Sequence, residues 1–151
     1  MWLLHLFVPV LLIQGLWVRL RTPRLPGASG PRSGTVERGG RTFELIVLGE
    51  SPVEGVGART HEFALTGQTA SALARRTDRT VKWQASGVSG ATARTALRDL
   101  VPQIAGRNAD AVIIALGVSD VLSWRSVYSW TRDVERLISG VRRHVHDSLI
   151  V

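Results

Sequence analysis

Phe43-Glu44-Leu45-Ile46-Val47-Leu48-Gly49-Glu50-Ser51 is the stretch that decides the fold. Six residues rich in strand formers run without a break and stop at a glycine. A strand with only one covered face would alternate apolar and polar residues. A continuous apolar run of this length fits a strand buried on both faces, as in a parallel sheet. Two more runs share the character: residues 80–85 (TVKWQA), which are weaker, and residues 111–116 (AVIIAL), the most apolar of the three. Residues 148–151 (SLIV) read as the opening of a fourth strand.

Helical patterns separate these runs. Residues 61–77 carry Phe63, Ala70, Leu73 and Ala74 near helical spacing, and residues 91–105 carry Leu97, Leu100 and Ile104, with Pro102 as a kink or boundary. Residues 127–146 set Trp130, Val134, Leu137, Val141 and Val145 on one face. Strands alternating with helices predict an α/β fold with a parallel sheet. Ligands of such sheets bind beyond the carboxyl ends of the strands. Attention therefore falls on three loops, residues 49–60, 86–92 and 117–124.

The first loop reads GESPVEGVGAR and places Ser51 directly after a strand. A serine on such a turn exposes its hydroxyl; a serine there also caps a following helix. Two other motifs fail. A phosphate-binding loop needs Gly-Lys-Ser/Thr, which is absent. A Gly-x-Ser-x-Gly elbow needs glycine where Val53 stands. Gly55 and Gly57 have dinucleotide-loop spacing without the third glycine, and the absence of a phosphate loop disfavours a flavodoxin-like nucleotide-binding module.

Taken together, the loops are more specific. Val47-Leu48-Gly49-Glu50-Ser51 with Gly55 resembles the first block of the SGNH/GDSL hydrolases, usually Gly-Asp-Ser. Ser86-Gly87-Val88-Ser89-Gly90-Ala91-Thr92 resembles the second block, and Ala115-Leu116-Gly117-Val118-Ser119-Asp120 the third, Gly-x-Asn-Asp. The resemblance covers residues 43–151, about the first half of such a domain. It implies a flavodoxin-like three-layer α/β/α fold, with residues 43–48 between residues 80–85 and 111–116 (order 2-1-3). It also implies ester hydrolysis, on carboxylic ester or lysophospholipid-like substrates. Ser51 would be the nucleophile, Gly90 and Ser119 would occupy oxyanion-hole positions, and Asp120 would shape its loop. No cofactor or metal is implied. Three departures stand out. Glu50 replaces the aspartate beside the nucleophile, Ser119 replaces the oxyanion asparagine, and no Asp-x-x-His block occurs. The expectation is a partial domain, cut at the start of strand four and weak or inactive as this chain; the alternative is a membrane-tethered pseudo-hydrolase that binds without cleaving.

Outside this half-domain, residues 2–18 (WLLHLFVPVLLIQGLWV) lack Asp, Glu, Lys and Arg and approach the roughly 17–25 residues of a spanning helix. Arg19, Arg21 and Arg24 follow, which by the positive-inside rule puts the domain on the cytoplasmic side. Residues 1–20 are thus expected to be a membrane-anchor or interfacial helix. Residues 21–42, with three of the six prolines and five glycines, read as a linker.

The net charge of +7 is concentrated in that leader: residues 1–42 carry +5 and residues 43–151 only +2. With no nucleic-acid motif either, nucleic acid is not an expected partner. The absence of cysteine excludes disulfides, thiolate metal sites and cysteine nucleophiles. His5, His61, His144 and His146 show no metal-ligand spacing.

Overall fold

The computed structural model describes residues 2–23, 25–145 and 148–151. A five-stranded sheet forms the centre. In chain order its strands are β1 (Ser33–Val36), β2 (Phe43–Gly49), β3 (Val81–Gly87), β4 (Ala111–Ala115) and β5 (Leu149–Ile150), arranged β1-β3-β2-β4-β5. β2 pairs in parallel with β3 and β4, β4 with β5, and only β1 runs antiparallel, along β3. The helices are α1 (Trp2–Arg21), α2 (Ser51–Glu54), α3 (Leu65–Thr77), α4 (Ala93–Asp99), α5 (Val118–Leu122) and α6 (Val127–His144).

Strand geometry explains the layering, because successive side chains of a strand point to opposite faces. Leu45 and Val47 of β2 join Ala70 and Ala74 of α3 in one core cluster, with Trp83 and Ala85 of β3. Ile46 and Leu48 join Ala96 of α4 and Leu137 and Val141 of α6 in the other. Both faces of β2 are therefore covered, which is why its sequence shows no alternation. Leu48 is fully buried. Leu48→Ala is expected to lower the unfolding free energy by about 2–5 kcal/mol, through lost burial and the cavity left behind. Urea denaturation checks this; a change under about 1 kcal/mol would mean that the site collapses freely.

Four sequence expectations need amendment. Phe63 does not join the helical face: α3 starts only at Leu65, and Phe63 is exposed on the turn before it. The helix expected over residues 91–105 stops at Asp99 and gives way to a 3-10 turn, Val101–Ile104, at Pro102. Residues 21–42 are not all linker. Ser33–Val36 is an edge strand, and a β-carbon on Gly34 would lie 2.7 Å from the Trp83 ring of the strand beside it. Short, polar and glycine-bearing, this strand lacks the apolar signature that marks the buried ones.

The fourth amendment concerns α1. Among the described residues, no helix is long and apolar enough to cross a membrane. Pro9 lies inside the helix, which runs on into Arg19 and Arg21, and its apolar residues are not gathered on one side.

Candidate active site

The three loops start level with one another. Gly49, the last residue of β2, is in register with Gly87 of β3 and with Ala115 of β4. All three chains leave the sheet at its carboxyl end, where an open parallel sheet binds ligands.

Ser51 is the first residue of α2, a single turn opened by Pro52 and closed by Gly55 in the left-handed conformation. Val53 is wholly buried and pins this turn to the sheet. Ser51 itself is half-buried. On the second loop, Val88 N–H donates to the Gly49 carbonyl (3.2 Å) and Ser89 N–H to the Glu54 carboxylate (2.7 Å). Gly90 follows at φ +81°, a conformation that favours glycine. It is exposed, with nothing within 4 Å of where a β-carbon would stand. Neither the Ser51 nor the Gly90 amide donates to another described residue. Thr92 then caps α4 through a reciprocal pair with Thr95.

The third loop is tied to both others. The Glu50 carboxylate, almost fully buried, accepts from Val118 N–H (3.0 Å) and from the Ser119 hydroxyl. Asp120, also buried, accepts from Ala93 N–H at the start of α4 (2.9 Å). Asp120 thus shapes the loops, as the sequence suggested. Ser119 was expected at an oxyanion-hole position. A hydroxyl has one proton, and here that proton points to Glu50, so it is not free for an oxyanion.

Of the histidines, His144 holds the carbonyl of Gly140 through Nδ1 (2.8 Å), and His146 lies outside the described residues. His61 is buried, and its Nδ1 has no partner among the described residues. Among the described residues, no hydrogen bond joins a histidine to Ser51, and no group of His, Asp and Glu could hold a metal. Burial, with the nearby Arg32, holds the His61 imidazole below its ordinary pKa, against the opposing pull of Glu54. A histidine that stays neutral in the fold is protonated first in the unfolded chain. Stability is therefore expected to be full above about pH 6.5, the ordinary histidine value, and to fall as the pH drops below it. Urea midpoints at pH 7.5 and 5.5 should show that drop, with a smaller one in His61→Gln; equal drops would assign the effect to other groups.

Two features escaped the sequence reading. One is the Glu54 tie to the second loop. The other is an apolar cavity of about 540 Å³ beside the third loop, lined chiefly by Leu116, Val121, Leu122, Val127 and Trp130.

The fold is similar to AlinE4, an SGNH-hydrolase family esterase (TM-score 0.61, 19% identity, 69% of this chain and 55% of that one). It is similar to TesA (0.60, 17%, 71% and 57%). It is also similar to the psychrotrophic esterase EstA from Pseudoalteromonas sp., in a structure inhibited by monoethylphosphonate (0.58, 18%, 72% and 57%). This chain thus spans 55–57% of the length of these three structures. No curated protein sequence matches it. Residues 47–151, which hold all three loops, match the GDSL-like Lipase/Acylhydrolase family, and the chain belongs to that family of ester hydrolases.

Proposed function

We propose that the chain carries the nucleophile half of a serine ester hydrolase, with Ser51 attacking the acyl carbon. The observation that carries this reading is the convergence of three loops at one sheet edge, Ser51 opening a helical turn at the end of the central strand. In this reading the Ser51 oxygen adds to the ester carbonyl, and the negative oxygen that forms is met by the Ser51 and Gly90 amides. Among the described residues neither donates to another group, as preorganised donors must not. Ser119 adds no third donor while its proton is held by Glu50. The apolar cavity beside Leu116 and Val121 supports an ester with an apolar acyl or alkyl chain, lipid esters included.

A second reading, a pocket that binds esters without cleaving them, is favoured by one observation: no histidine among the described residues is bonded to Ser51. One experiment separates the two. The chain is joined to the C-terminal half of a family member that carries Asp-x-x-His. The catalytic reading expects hydrolysis of a p-nitrophenyl ester that falls about 10³-fold or more in Ser51→Ala. Binding of the ester without turnover in the joined protein would favour the second reading.

A further inference from the structure

The strongest tie between the first and second loops is a side chain with no assigned role. Glu54 sits three residues after Ser51, at the end of the same helical turn. Its carboxylate accepts the Ser89 amide at 2.7 Å, directly before Gly90. A charged acceptor makes this one of the stronger hydrogen bonds in the site.

Glu54 is itself held from behind by the segment before β1. The Ala28 amide donates to the Glu54 carbonyl (3.0 Å), and the Gly57 amide to the Pro26 carbonyl (3.1 Å). Ser29 and Arg59 are joined through both the amide and the hydroxyl of Ser29. Residues 26–29 are therefore a strap laid across the nucleophile turn. Gly27 lies against the Glu54 side chain, and a β-carbon there would come within 2.9 Å of Cγ and 3.3 Å of Cδ. The missing side chain at Gly27 leaves the room that the Glu54 carboxylate occupies.

We propose that Glu54 is a positioning residue: propped by the Pro26–Ser29 strap, its carboxylate fixes the Ser89 amide, and so sets the next amide, that of Gly90, as an oxyanion donor. This rests on the ester-hydrolase reading for the purpose of the Gly90 amide, but the tie itself does not. Val88 is anchored to the end of β2 by the Gly49 carbonyl and Ser89 to the Ser51 turn by Glu54, while the Gly90 amide donates to no other described residue. The loop thus reaches its donor geometry before any substrate arrives, which is where an oxyanion hole gains its effect.

Two readouts on the full chain, kept in mild detergent, test this. The first is amide hydrogen exchange followed residue by residue by NMR. The second is affinity for phenylboronic acid, which forms a tetrahedral adduct on a serine oxygen. In Glu54→Ala, Ser89 exchange is expected to speed up about tenfold or more, with β2 amides such as Val47 still protected, and boronate affinity is expected to fall about tenfold. Glu54→Gln keeps an acceptor oxygen and should recover most of both. Gly27→Ala keeps Glu54 but crowds it, and should also speed Ser89 exchange, which serves if Glu54→Ala does not fold. Unchanged Ser89 exchange in Glu54→Ala and Gly27→Ala would overturn the proposal, as would a loosened Ser89 with undiminished boronate affinity. Boronate binding equal in the parent and in Ser51→Ala would overturn the hydrolase reading alone. The exchange readout would still decide whether Glu54 holds the loop.

Discussion

On its own, the 151-residue chain is expected to hydrolyse a chromogenic short-chain ester no faster than its Ser51→Ala variant. A serine hydroxyl is a weak nucleophile at neutral pH unless a base takes its proton. His144 is engaged by the carbonyl of Gly140 on its own helix, and His61 is buried with its Nδ1 unpartnered among the described residues. Joined to a C-terminal half with Asp-x-x-His, the same chain should gain on the order of 10⁴–10⁶ in rate, the range that loss of a triad base costs in other serine hydrolases. Initial rates with p-nitrophenyl butyrate check both statements. Ser51-dependent turnover by the unjoined chain would show that a base is already in place, and His61→Ala would be the variant to measure next.

The second large effect concerns the two departures in the first and third loops. Glu50 and Ser119 are bonded to each other, so they are best understood as one change rather than two. Restoring asparagine at position 119 alone puts a larger side chain against a buried carboxylate. Shortening Glu50 to aspartate alone withdraws the carboxylate from the Ser119 hydroxyl and the Val118 amide that it holds. In the joined protein neither single variant is expected to raise kcat. Glu50→Asp with Ser119→Asn retracts the carboxylate and frees a carboxamide to donate, with an expected gain of about 10²-fold or more, the usual worth of one oxyanion donor. The full cycle of four proteins checks this. Single-variant gains that simply multiply would show that the two positions are not coupled.

What the sequence revealed follows from the range of the forces involved. The buried strands were legible because coverage on two faces demands unbroken apolar runs, and Leu45 to Leu48 supply them. Ser51, Gly90 and Ser119 were singled out because they lie in three glycine-bearing blocks after strands, which together resemble those of one family. The edge strand at Ser33–Val36 was missed because its place depends on Trp83, some fifty residues away, and not on its own polarity. Glu54 was missed for the same reason. In the sequence it is one acid in a polar loop, and only the fold brings Ser89 to it. Ser119 was located, but its proton's partner could not be read, because that depends on how far the Glu50 side chain reaches.

The central claim is that Ser51 is the nucleophile, and the most direct measurement is the site of covalent capture. The joined protein is treated with a fluorophosphonate and digested, and the adduct is located by mass spectrometry. The expected result is one phosphonylated peptide, modified at Ser51 and absent from Ser51→Ala. An adduct on another serine, or ester turnover that survives in Ser51→Ala, would contradict it.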